Sequence, residues 1–177
     1  MNLPTTWLEA LEKKKQEAES NPTAFKFNDG GRASAGFKGT TGDCVVRAIA
    51  IATKQEYKLV YDELTERIKS FATSSRSRAA KSIKTHSPSK GVHREVYEKY
   101  LSELGWKFVP TMGIGTGCTL HIGDVVKKEG EILCSSNRII ARVSKHLVAI
   151  VEGVVEDTYD CTRGGNRCIY GYYTQLT

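Results

Sequence analysis

The sequence predicts an α+β fold, with N-terminal helices packed on a C-terminal, mainly antiparallel sheet. Three observations carry this expectation. Apolar residues up to Leu104 recur at helical spacing, whereas after Trp106 they fall in short β-branched and aromatic runs separated by Gly, Asn, Ser or Lys. No internal repeat is present. A chain of 177 residues, 40% hydrophobic and 26% charged, is one domain long and is neither wholly disordered nor a membrane protein in composition.

The segment from Trp7 to Glu19 has helical character, with Thr6 and Glu9 spaced as a capping box. Asn21 to Thr41 is rich in Gly, Ser and Thr and reads as a loop or extended arm anchored by Phe25, Phe27 and Phe37. Residues 1–40 are therefore expected to form a helical appendage and arm, and residues 41–177 the main domain. Val45 to Thr53 is an Ala-rich apolar run entered through Gly42-Asp43-Cys44, which favours a buried helix. Tyr57, Val60, Tyr61, Leu64 and Ile68 mark a second helix, with Thr53 and Glu56 as its expected capping box. Ser70 to Gly91 reads as a basic, Ser-rich insertion, loop or mobile helix. Val92 to Leu104 is a further amphipathic helix stopped by Gly105. Strands are expected at Lys107–Val109, Ile139–Val143, His146–Val151, Val154–Tyr159 and Cys168–Tyr173.

The formal net charge of +6 is localised. Between Glu66 and Glu95 there is no acid, while eight of the 26 basic residues lie there: Arg67, Lys69, Arg76, Arg78, Lys81, Lys84, Lys90 and Arg94. The remaining chain is slightly acidic. Residues 67–94 are thus the expected contact for nucleic acid or an acidic protein, with Arg76, Arg78, Lys81 and Lys84 as the phosphate- or partner-binding candidates. Aromatic residues are nearly absent from this stretch, so base stacking is not indicated.

No apolar run approaches the roughly 20 residues that span a bilayer, and the start carries Lys13, Lys14 and Lys15 rather than a secretory core. Five scattered cysteines without a signal peptide read as reduced thiols in a cytoplasmic protein. Cys161 and Cys168, six residues apart, can pair under oxidation or supply half a metal site. Neither they nor Cys118 and His121 have the further ligands of a zinc centre. No metal or other cofactor is expected. Arg163 and Arg167, at the tip of the last hairpin, read as solvated.

Cys44 falls at the start of a buried helix, where backbone N–H groups stabilise a thiolate and lower its pKa. His146 opens the run His-Leu-Val-Ala-Ile-Val. A tight turn at Glu152-Gly153 places His146 opposite Tyr159, with Asp157 on the same face one diagonal step away. A carboxylate there can orient the imidazole and leave its other nitrogen to act as base. If the turn is one residue longer, the faces swap and Asp160 becomes the orienting carboxylate.

Cysteine at a helix start, followed by His and Asp on successive late strands, resembles the papain-like cysteine peptidase superfamily. Gly42-Asp43-Cys44 and His146-Leu-Val-Ala-Ile-Val are similar to the nucleophile and histidine segments of bacteriocin-processing double-glycine peptidases. Asp157-Thr158-Tyr159 stands where those enzymes carry Asp-Pro. The Asp-Cys, His and Asp-Thr pattern with a closing Tyr170-Gly171-Tyr172 also resembles small phage and bacterial proteins, for which the location would be the host cytoplasm if phage-encoded. The resemblance implies a thiol hydrolase that cleaves a peptide or isopeptide bond of a protein or peptide substrate. Cys44 would be the nucleophile, His146 the base and Asp157 the orienter. The same triad also serves transferases and deamidases. A Gln often lies about six residues before the nucleophile in this superfamily and helps form the oxyanion hole. Here that place is held by Lys38, which with Thr41 is an oxyanion candidate. The alternative from a different class is a non-catalytic papain-like module that binds protein or nucleic acid through its cleft or basic arm.

Overall fold

The computed structural model describes residues 24–39, 41–113, 115–126 and 137–175. The expected helix from Trp7 to Glu19 and the residue Cys134 lie outside them. Among the described residues, eleven helices and strands run in the order β1 (Phe25–Phe27), α1 (Cys44–Thr53), α2 (Tyr57–Ser74), α3 (Arg78–Lys81), α4 (Arg94–Glu103), β2 (Trp106–Pro110), α5 (Ile122–Val125), β3 (Arg138–Val143), β4 (His146–Val151), β5 (Val154–Asp157) and β6 (Gly171–Gln175), and a 3-10 turn at Pro88–Lys90 precedes α4. The six strands form one sheet in the order β1-β5-β4-β3-β6-β2.

The architecture is α+β, and the sheet is mixed. Every neighbouring pair is antiparallel except β1 and β5, which run parallel with Phe27 beside Asp157. The Gly-rich arm therefore supplies a strand. Its aromatic anchors are not the expected ones: Phe25 and Phe27 are 37% and 66% exposed. Phe37 alone packs inward, against Tyr57 and Tyr61. Gly30 lets the arm approach α1. It has φ +68, and a Cβ there would meet the Arg47 backbone at 3.3 Å.

Helix α1 is buried along its length from Val45 to Ala52, which explains why that stretch is apolar except for Arg47. It lies on β4 and against α2. Small Ala side chains let it sit close to the sheet, while Val46 and Ile49 are fully buried. Each such side chain contributes roughly 1.5–3 kcal/mol of burial. Alternation along β4 sends Leu147, Ala149 and Val151 to the helical core. Val148 and Ile150 join Ile139, Ala141, Val155 and Ile169 in a second core on the other face. A strand buried on both faces reads as the continuous apolar run His146–Val151.

Several boundaries differ from expectation for local reasons. The Thr53–Glu56 capping box is not formed. Thr53 Oγ1 donates to the Ile49 carbonyl at 2.7 Å, and Lys54 takes a left-handed conformation that ends α1. Glu56 becomes the residue preceding α2. Strand β5 stops at Asp157, and β6 begins at Gly171 rather than Cys168, which makes only an isolated bridge to His121. The basic segment is more ordered than a loop. Helix α2 runs into it as far as Ser74, Ser77 caps α3, and Ala80 and Pro88 are buried.

The expectation of five reduced thiols is corrected at Cys118 and Cys168, which form a disulfide. The His121–Cys168 bridge draws the two loops together, and their Cα atoms are 5.9 Å apart, within reach of a disulfide. A separation of 50 residues hides this pairing from any spacing rule. Among the described residues, no helix is long and apolar enough to cross a membrane.

Candidate active site

The first residue of α1 and the first residue of β4 meet because the helix lies along that strand. Cys44 opens the helix and His146 opens the strand, and both line the same cleft. The β4–β5 turn is the two-residue Glu152-Gly153 connection, with both residues at positive φ (51° and 77°) and Val151 paired to Val154. That register brings Asp157 to the imidazole: His146 Nε2 lies 2.5 Å from Asp157 Oδ2. Asp160, the alternative orienter, is exposed and accepts the Thr162 backbone N–H at 2.9 Å instead.

Burial pushes the Cys44 thiol pKa up. The hydrogen bond from His146, the Leu147 backbone N–H, and the charges of His146 and Arg47 outweigh that penalty and bring it below its ordinary value. Burial pushes the His146 imidazole down, and the hydrogen bonds with Asp157, Cys161 and Cys44 more than reverse this, raising it well above the usual histidine range. Asp157 is likewise penalised by burial but held low by His146, the Thr158 N–H and Arg47. The three shifts together favour a thiolate–imidazolium pair backed by a carboxylate.

A buried ionic network supports this arrangement. Asp43 is fully buried and does not cap α1. Its carboxylate pairs with Arg47, accepts Arg32 Nε at 2.8 Å and accepts the Tyr57 hydroxyl at 2.6 Å. Arg47 extends across to Asp157 Oδ1 at 3.2 Å. The charge chain therefore runs Arg32–Asp43–Arg47–Asp157–His146–Cys44. With Asp43 so occupied, the first-turn N–H groups of α1 carry no side-chain cap.

The structure does not bring every candidate to this place. Lys38 is exposed, and its carbonyl accepts Arg32 Nη2 at 2.8 Å. Thr41 Oγ1 is buried without a hydrogen-bond partner. Neither lines the cleft of about 430 Å³ that opens beside Cys44 and His146. Arg76, Arg78, Lys81 and Lys84 are exposed on the basic segment, outside that cleft. Arg167 is structural, donating to the carbonyls of Cys161 at 3.0 Å and Ser144 at 2.7 Å.

Three participants escaped the sequence reading. Arg47 was hidden inside an apolar run, although Asp43 and Arg47 stand at i,i+4. Arg32 lies in a Gly-rich arm that gives no register. Cys161 is a second, buried thiol at His146, whose ligand atoms with those of Asp157 lie within 4.8 Å of one another. A cation at that grouping would share Asp157 with the Arg47 guanidinium, which opposes metal binding electrostatically.

Comparison with protein-family models, with curated proteins and with solved structures finds no match to this chain.

Proposed function

We propose that the chain is a papain-like thiol hydrolase that cleaves a peptide or isopeptide bond. The observation that carries this reading is the His146 ring, which lies 2.5 Å from the Asp157 carboxylate and lines one cleft with Cys44, where imidazole and thiol shift each other toward the charged pair. Its support is also positional, because the thiol stands at an uncapped helix N-terminus. With Nε2 directed to Asp157, Nδ1 is the nitrogen that takes the Cys44 proton. The thiolate attacks the carbonyl carbon, and the oxyanion forms beside the first-turn N–H groups of α1. Collapse breaks the C–N bond as the imidazolium protonates the leaving amine. Water, deprotonated by His146, then hydrolyses the thioester and restores the thiol.

Alkylation kinetics test the pair. The Cys44 rate should rise with pH through an inflection below the 9.0 of an ordinary thiol, because the folded pKa is lowered. In His146→Gln the inflection should move upward, since burial then acts without its largest opposing partner. An unshifted inflection in the wild type, equal to that of a free thiol, would remove the basis for catalysis.

A second reading has its own observation. Arg76, Arg78, Lys81 and Lys84 are exposed, and among the described residues none has a carboxylate partner, whereas Arg67, Lys69 and Arg94 are paired with Glu103, Glu66 and Glu98. This surface suits a nucleic-acid or acidic-protein contact. Nucleic-acid binding that weakens steeply with salt and is lost when these four are changed to Gln would support it. Salt-insensitive or unaltered binding would refute it.

A further inference from the structure

The cleft beside Cys44 carries positive charge. Arg94, Arg142 and Lys145 line it, and among the described residues no Asp or Glu does. The three cations are not equivalent. Arg94 is neutralised by Glu98, whose Oε1 lies 2.7 Å from its Nε and also accepts the Tyr173 hydroxyl at 2.8 Å. Lys145 is exposed in the β3–β4 turn.

Arg142 is half-buried, and its Nε is buried without a hydrogen-bond partner. Among the described residues, no carboxylate or carbonyl receives its guanidinium. The other buried or half-buried arginines all have one. Arg32 and Arg47 have Asp43, Arg67 has Glu103, Arg138 has the Ile51 carbonyl, and Arg167 has two carbonyls. A partly desolvated guanidinium without a counter-charge is costly, and an incoming anion would relieve that cost.

Its position is also fixed in advance. Arg142 sits in the middle of the sheet, paired to Leu147 on β4 and to Gly171 on β6. Its guanidinium carbon lies 4.9 Å from the centre of the Phe108 ring. Gly171 makes room for that ring, because a Cβ there would collide with it. The cation is therefore held by a strand and an aromatic face rather than by an acid, which leaves its donors for a ligand.

We infer that Arg142 is a specificity-determining residue that reads a carboxylate next to the scissile bond, supplied by an Asp or Glu side chain or by the C-terminal carboxylate of a peptide. This rests on the thiol hydrolase reading for its substrate class. The carboxylate site itself rests only on the cleft geometry.

Cys44 can report on the site directly through iodoacetate and iodoacetamide, which differ by one negative charge. The ratio of the two alkylation rates, divided by the same ratio for free cysteine, cancels any general change in thiol reactivity. That normalised ratio should exceed one by about tenfold or more in the wild type. It should fall several-fold in Arg142→Gln and be largely retained in Arg142→Lys. A normalised ratio of one in the wild type, or an equal ratio in wild type and Arg142→Gln, overturns the inference. Slow absolute alkylation with the ratio intact sinks the hydrolase reading and leaves the carboxylate site standing. Peptides matched as Glu against Gln, and as free against amidated C-terminus, then assign the source of the carboxylate through the pair that loses kcat/KM.

Discussion

If the chain is the proposed thiol hydrolase, peptide hydrolysis should fall by about four orders of magnitude or more in Cys44→Ala, measured as kcat. No other group can substitute for the sulfur. The second thiol near His146, Cys161, is buried and does not line the cleft on which Cys44 opens. His146→Ala should cost a similar factor, and the double variant little more, because nucleophile and base act as one unit. Asp157→Asn should retain more activity than either, as an orienting group does. Its thermal stability should also drop, since Asp157 is a partner of Arg47 as well. Equal rates for wild type and Cys44→Ala would end the hydrolase reading.

The largest expected loss of stability comes from Arg47→Met. Arg47 is 6% exposed and stands between Asp43 at 0% and Asp157 at 3%. Removing the cation takes one counter-charge from each of two buried carboxylates, and breaking a buried pair costs up to about 3–5 kcal/mol. For a domain of this size, that corresponds to a melting temperature lower by roughly 6–20 °C. Asp43 keeps Arg32 and Tyr57, and Asp157 keeps His146 and the Thr158 N–H. The sign of the pH dependence follows. Asp157 has a lowered folded pKa, so its contribution is present above the ordinary carboxylate value of 3.8 and is lost as pH falls through the folded value. Arg47 is part of that lowering, so the gap between wild type and variant should narrow in acid. Denaturant unfolding at neutral and acidic pH measures it. An Arg47→Met chain as stable as the wild type at neutral pH would mean that the ionic network contributes nothing to the fold.

What the sequence disclosed followed from local periodicity. The β4–β5 hairpin was legible because two residues, Glu152 and Gly153, fix its register, and register decides which carboxylate meets His146. Helix α1 was legible from its Ala-rich run and its Gly-Asp-Cys entry. Strand β1 was not, because Phe25–Phe27 is three residues long and pairs in parallel with a strand 130 residues away. Alternation cannot be read over three residues, and long-range parallel pairing leaves no local mark. The Cys118–Cys168 bridge was hidden for the same reason. Arg47 was given no role, since nothing local marks an arginine inside an apolar run as buried. Its burial makes sense only once Asp43 and Asp157 are known to flank it. Arg142 carried no signal, because an unpaired cation is recognised only from what fails to surround it.

The parallel pairing of β1 with β5 bears on where this protein can be cut. A fragment beginning at residue 41 would keep Cys44, His146 and Asp157, and by motif content it would look complete. It would lose Arg32 from Asp43 and the Asn28 N–H that binds the Asp157 carbonyl at 2.9 Å. Strand β5 would become the margin of the sheet, its unpaired backbone open to a second copy of the same fragment. Self-association would then begin at the strand that carries Asp157. The smallest stable unit is set by the segment that shelters that strand, and it begins well before Cys44.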